Sequence, residues 1–147
     1  MSYLDIVDAQ LVIDEGDRNF PYDDATGRTL IRGDTLKGNI TVGIGRNISG
    51  IGISADEKAL MYSNDRGRAD ALARATFSTY DTLTDNRKAA LLMMCFNLGN
   101  KITQFHATIA AVTAGDYDGA ANDMLASSWH NEVGARAQRL ADLMRNG

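Results

Sequence analysis

One cysteine, one proline, one tryptophan and two histidines are all that the 147 residues carry of those types. The lone thiol, Cys95, excludes an internal disulfide framework. It lies in the apolar run Leu91–Phe96, where a buried structural thiol is expected and a nucleophile is not. His106 and His130 have no supporting cluster of Cys or acids, so a zinc site is not expected and neither is read as catalytic. No apolar stretch approaches the length that crosses a bilayer, and no stable membrane association is expected. The opening Met-Ser-Tyr-Leu-Asp-Ile-Val-Asp-Ala-Gln has two aspartates and no Lys or Arg, which does not fit a secretory signal. Synthesis and folding in a reducing cytoplasm are therefore expected. A net charge of −4 gives no basic footprint for nucleic acid and no general attraction to an anionic cell wall.

What is present is an ordinary globular composition, 44% hydrophobic and 23% charged, in a chain long enough for one domain with a sizeable core. The stretch Ile13–Arg46 organises the rest. Leu4, Val7 and Leu11 recur at the helical period of about 100° per residue, and Glu15 falls on their face. A carboxyl drawn toward an apolar face is partly desolvated, which disfavours its charged form. Asp24 follows Pro21 and Asp23 among turn-forming residues, so it is expected to be wet and ionised. One acid held protonated beside one held charged suits acid/base cleavage of a glycoside. On spacing alone the plainer account has the better claim: a solvated Glu near a helix C-cap and ordinary turn aspartates.

Taken in order, Ser2 with Asp5 forms a capping box, Leu4 to Ile13 carries the helical period, and Gly16 stops it. Short apolar runs at Thr29–Ile31 and Ile40–Val42 predict a small antiparallel sheet, with loops at 23–28 and 32–39. Gly43 and Gly45 permit close backbone approach, but the further glycines and Lys of a phosphate-binding loop are missing. Ser54 with Glu57 opens a long helix to about Ala75, whose polar middle suits a helix bridging two lobes across solvent. Asp85–Leu98, apolar on every side over Ala89–Phe96, is expected to be the central buried helix, ended by Gly99. Helices at about Thr103–Ala114, Tyr117–Ala126 and Val133–Arg145 follow, parted by Gly115 and by Ser127-Ser128-Trp129, with Trp129 a core residue.

The strings Ile13-Asp14-Glu15-Gly16, Tyr22 with Asp24, and Thr41-Val42-Gly43-Ile44-Gly45 together resemble the phage-type lysozymes, the endolysins of glycoside hydrolase family 24, among them the T-even coliphage enzyme. Phe96-Asn97-Leu98-Gly99 and Trp129-His130-Asn131 followed by Arg136-Ala137-x-Arg139 extend the likeness over nearly the whole chain. The resemblance implies a mostly α, α+β, lysozyme-like two-lobed fold in one domain over 1–147. A small sheet-bearing lobe would take about 14–54, a connecting helix about 55–75, and a helical lobe 1–13 with about 76–147. It implies a catalytic set of Glu15, Asp24 and Thr41, with Tyr22, Gly43, Gly45, Asn97, Phe105 and Arg136 binding substrate or supporting the site. The chain departs from the family in a longer link between Asp24 and Thr41, over about 25–40. It also has Arg46 where His is common, and Asn97 one methylene shorter than the usual Gln.

The activity so implied is hydrolysis, by inversion, of the β-1,4 bond between N-acetylmuramic acid and N-acetylglucosamine in peptidoglycan. Glu15 would donate to the leaving oxygen while Asp24 and Thr41 activate water. No metal or cofactor is implied. The partners expected are peptidoglycan glycan strands and a holin-like membrane permeabiliser, for a monomer held in the host cytoplasm until the membrane opens. Two alternatives stand beside this. A lytic transglycosylase would use Glu15 alone, and a catalytically silent wall-binding or phage structural module would keep only the fold.

Overall fold

The computed structural model describes residues 2–147, which form eight α-helices and a four-stranded antiparallel sheet. The fold is α+β and mostly α. The chain divides into two compact units, Met1–Lys58 and Ala59–Gly147.

In the first unit, α1 (Tyr3–Glu15) opens on the expected capping box: Ser2 Oγ accepts the Asp5 N–H, and the Asp5 carboxylate accepts the Ser2 N–H. The helix ends at Gly16, whose φ of 78° an L side chain rarely adopts. No residue of α1 is buried, and Leu4, Val7 and Leu11 are 53%, 43% and 44% exposed. The sheet follows as β1 (Arg18–Asp23), β2 (Arg28–Thr29), β3 (Ile40–Gly43) and β4 (Arg46–Asn47), in the order β2-β1-β3-β4. One register row runs Thr29, Tyr22, Thr41, Asn47 across all four strands. Residues directly opposite on neighbouring strands share a face of the sheet, so this row sets Tyr22 and Thr41 side by side. Between Arg18 and Tyr22 the register shifts, at the bulge that takes in Pro21. A short helix, α2 (Ile48–Ile51), starts where the Asn47 side chain accepts the Gly50 N–H at 2.8 Å.

Helix α3 (Ala55–Thr76) starts in the first unit and runs on in the second. Its predicted capping box is present, with the Ser54 N–H donating to Glu57 and the Glu57 N–H donating to Ser54 Oγ. In the second unit α4 (Asp85–Leu98) packs against α8 (Ala135–Asn146) and a 3-10 turn at Gly99–Gln104. Helices α5 (His106–Ala114), α6 (Tyr117–Ala126) and α7 (Ser128–Val133) complete the core, in which Phe77, Leu91, Met94, Ile102, Met124, Trp129 and Met144 are fully enclosed. The expectation that α4 is buried on every side needs correcting. Ala90, Leu91, Met94 and Cys95 are buried, but Met93 and Phe96 are 40% and 48% exposed and line a cavity. Burial pushes the Cys95 thiol up to about 11, in keeping with a structural residue. The helix expected from Thr103 starts at His106, since Gly99 turns the chain into the 3-10 segment first. The break foreseen at Ser127-Ser128-Trp129 is instead the start of α7.

Candidate active site

Glu15 is the last residue of α1. It is exposed, and so are Leu4, Val7 and Leu11 on the same face, so α1 does not bury the acid as expected. Its surroundings come from the turn between β3 and β4. A β-carbon built on Gly45 would lie 2.7 Å from Glu15 Oε2 and 3.0 Å from its Cδ, so the carboxyl group rests on that glycine. Gly45 also has φ of 68°, and Gly43 has 64°. The Gly43-Ile44-Gly45 turn thus needs glycine at Gly45 twice over, for its backbone and for the acid above it.

The two neighbouring aspartates divide their work. Asp23 is 3% exposed and accepts three backbone N–H groups, from Lys37 at 2.7 Å, Gly38 at 3.0 Å and Ala25 at 3.0 Å. It ties the long 30–39 loop back to the end of β1. Asp24 is exposed. Its Oδ1 accepts the Asn39 N–H at 2.7 Å and its Oδ2 accepts the Asn39 amide at 3.0 Å. Those bonds, the backbone one foremost, hold its carboxyl below the usual carboxylate range, so it is ionised as expected. Gly38 makes the loop possible, because a side chain there would strike Asp24 and Ala25. The longer link between Asp24 and Thr41 is therefore folded back onto the acid.

Thr41 is 4% exposed, and its Oγ1 is buried with no hydrogen-bond partner among the described residues. Tyr22, its register neighbour, is also buried and carries the Arg18 guanidinium over its ring at 4.3 Å, while Arg18 donates to the Gly27 carbonyl. A buried hydroxyl with both functions free is able to accept one proton from a water and donate one to it. The first unit thus offers a carboxyl on a glycine turn, an ionised aspartate and an uncommitted hydroxyl.

The remaining predicted residues belong to the second unit. Asn97 and Arg136 line one cavity of about 440 Å³ with Tyr62, Arg66 and Phe96. Asn97 Oδ1 accepts the Trp129 indole N–H at 2.7 Å, which fixes the amide and leaves its NH₂ as the free group. Phe105 is half-buried against the core and lines a different cavity, at the start of α5. Three residues that carry the geometry were not singled out in the sequence: Asp23, Asn39 and Arg18. Paired aspartates in a turn were visible there, but which one would be buried was not. No described helix is long and apolar enough to cross a membrane. Nowhere among the described residues do three or more His, Cys, Asp or Glu gather as metal ligands.

Residues 14–146 match the family model described as phage lysozyme.

Proposed function

From the premise that the chain belongs to the phage lysozyme family, a family of peptidoglycan-hydrolysing endolysins, we propose that it cleaves the β-1,4 bond between N-acetylmuramic acid and N-acetylglucosamine with inversion. Glu15 protonates the leaving oxygen, Asp24 takes a proton from the attacking water, and Thr41 holds that water through its hydroxyl. Tyr22 backs Thr41 across the β1–β3 pair. The reading is carried by the buried, unpartnered Thr41 Oγ1 on β3, the strand that follows directly on Asn39, whose backbone and amide hold Asp24 ionised. A water held by a hydroxyl and an anion is what an inverting hydrolase needs and a transglycosylase does not. Asn97, Phe105 and Arg136 are assigned to substrate binding and support on the resemblance, as is the chain's part in host lysis once a holin-like permeabiliser opens the membrane.

Mass analysis of fragments from purified peptidoglycan tests this. Fragments ending in reducing N-acetylmuramic acid are expected. Anhydro-muramic ends would assign a transglycosylase, and binding without any fragment would assign a silent wall-binding module.

A further inference from the structure

Arg46 follows directly on Gly45, the glycine against which Glu15 rests. Its guanidinium makes a two-pronged contact with Glu57, Nη2 to Oε1 at 2.6 Å and Nη1 to Oε2 at 3.1 Å, and Nη1 also reaches the Gly52 carbonyl at 3.2 Å. Glu57 in turn accepts the Ser54 N–H at 2.7 Å. That backbone bond and then Arg46 hold Glu57 below the usual carboxylate range. One side chain therefore fastens the β3–β4 turn to the end of α2 and to the capping box of α3.

We propose that Arg46, through its fork on Glu57 and Gly52, is a positioning residue that fixes the Gly45 turn under the Glu15 carboxyl. The proposal rests on the role assigned to Glu15 above. The two side chains are 38% and 40% exposed, and an exposed ion pair adds little to stability. A bidentate pair does fix geometry, and geometry is what the turn needs. A shift of Gly45 moves the floor on which the Glu15 carboxyl sits, and small misplacements at a reacting group can cost about 100-fold in rate. The clasp is thus expected to matter more for turnover than for folding.

Three variants separate the possibilities. Arg46→Ala removes the clasp. Glu57→Gln keeps a residue able to cap α3 but offers Arg46 one acceptor oxygen where there were two. Arg46→Lys keeps the charge without the fork. On purified peptidoglycan, kcat should fall about 10- to 100-fold in Arg46→Ala, with KM within about twofold and thermal unfolding little changed. Arg46→Lys and Glu57→Gln should fall between it and the wild type. The double variant Arg46→Ala/Glu57→Gln should be no slower than Arg46→Ala, since both changes break one contact. If the wild type releases no sugar fragments, the proposed function fails and takes this role with it. If the wild type is active and folded Arg46→Ala and Glu57→Gln keep their kcat, or lose only KM, the positioning role alone is overturned. Should Arg46→Ala not fold, the Glu57→Gln and Arg46→Lys rates decide by the same criterion.

Discussion

The Glu15 carboxyl sits on Gly45 so closely that a β-carbon there would stand 2.7 Å from Oε2. The contact joins the end of α1 to the β3–β4 turn and gives Gly45 a second reason to be glycine beside its backbone conformation. Gly45→Ala meets two penalties, a left-handed φ of 68° and collision with the acid. The expected result is loss of about 100-fold or more in kcat with a folded second unit, measured on purified peptidoglycan beside circular dichroism. Near wild-type turnover would show that the acid's place does not depend on the turn.

Asn39 holds Asp24 through both its backbone and its side chain. Because the folded-state pKa of Asp24 is depressed below 3.8, the stability its bonds contribute is present above that value and is lost as pH falls through the lower folded one. Asn39→Ala removes the side-chain bond and leaves the backbone bond, which is the larger cause. The Asp24 titration, followed by carbon-detected NMR, should move up only part of the way toward the ordinary value. No movement would show that the side-chain bond is not made in solution.

Asn97 couples a candidate sugar contact to the core through Trp129. Asn97→Ala leaves the buried indole N–H without its acceptor. Stability should drop by about 1–3 kcal/mol in urea unfolding, together with a rise in KM for peptidoglycan. Loss of stability without any change in KM would make Asn97 purely structural.

Cys95 lies within the core with its thiol pushed up to about 11. The folded protein should resist thiol reagents at pH 8 and react fully once unfolded. Rapid labelling of the native protein would contradict the packing of α4.

Much of this was legible in the chain because local rules set it. Both capping boxes, α4 and α6 and the antiparallel character of the sheet follow from spacing and punctuation alone, and the burial of Trp129 from the bulk of a lone Trp among helices. Helices α2 and α7 were not, since four and six residues are too few to display a period. The openness of Met93 and Phe96, which line a cavity, depends on how the other helices pack around α4, which is a tertiary fact. At the site, the sequence supplied the types and order of Glu15, Asp24 and Thr41. It could not supply the burial of Asp23, the grip of Asn39 or the clasp of Arg46, because each joins residues far apart in the chain.

In the proposed mechanism Asp24 and Thr41 activate water and do not attack the sugar. A retaining pair of carboxyls stands about 5–5.5 Å apart, whereas an inverting pair leaves roughly 6.5–9.5 Å for water, and the two reactions release opposite anomers. Proton NMR of the first minutes of peptidoglycan cleavage, before mutarotation, reads that outcome directly. An initial α reducing end is expected from the wild type, and severe impairment in Asp24→Asn. An initial β anomer would contradict the water-activating role of Asp24 and Thr41.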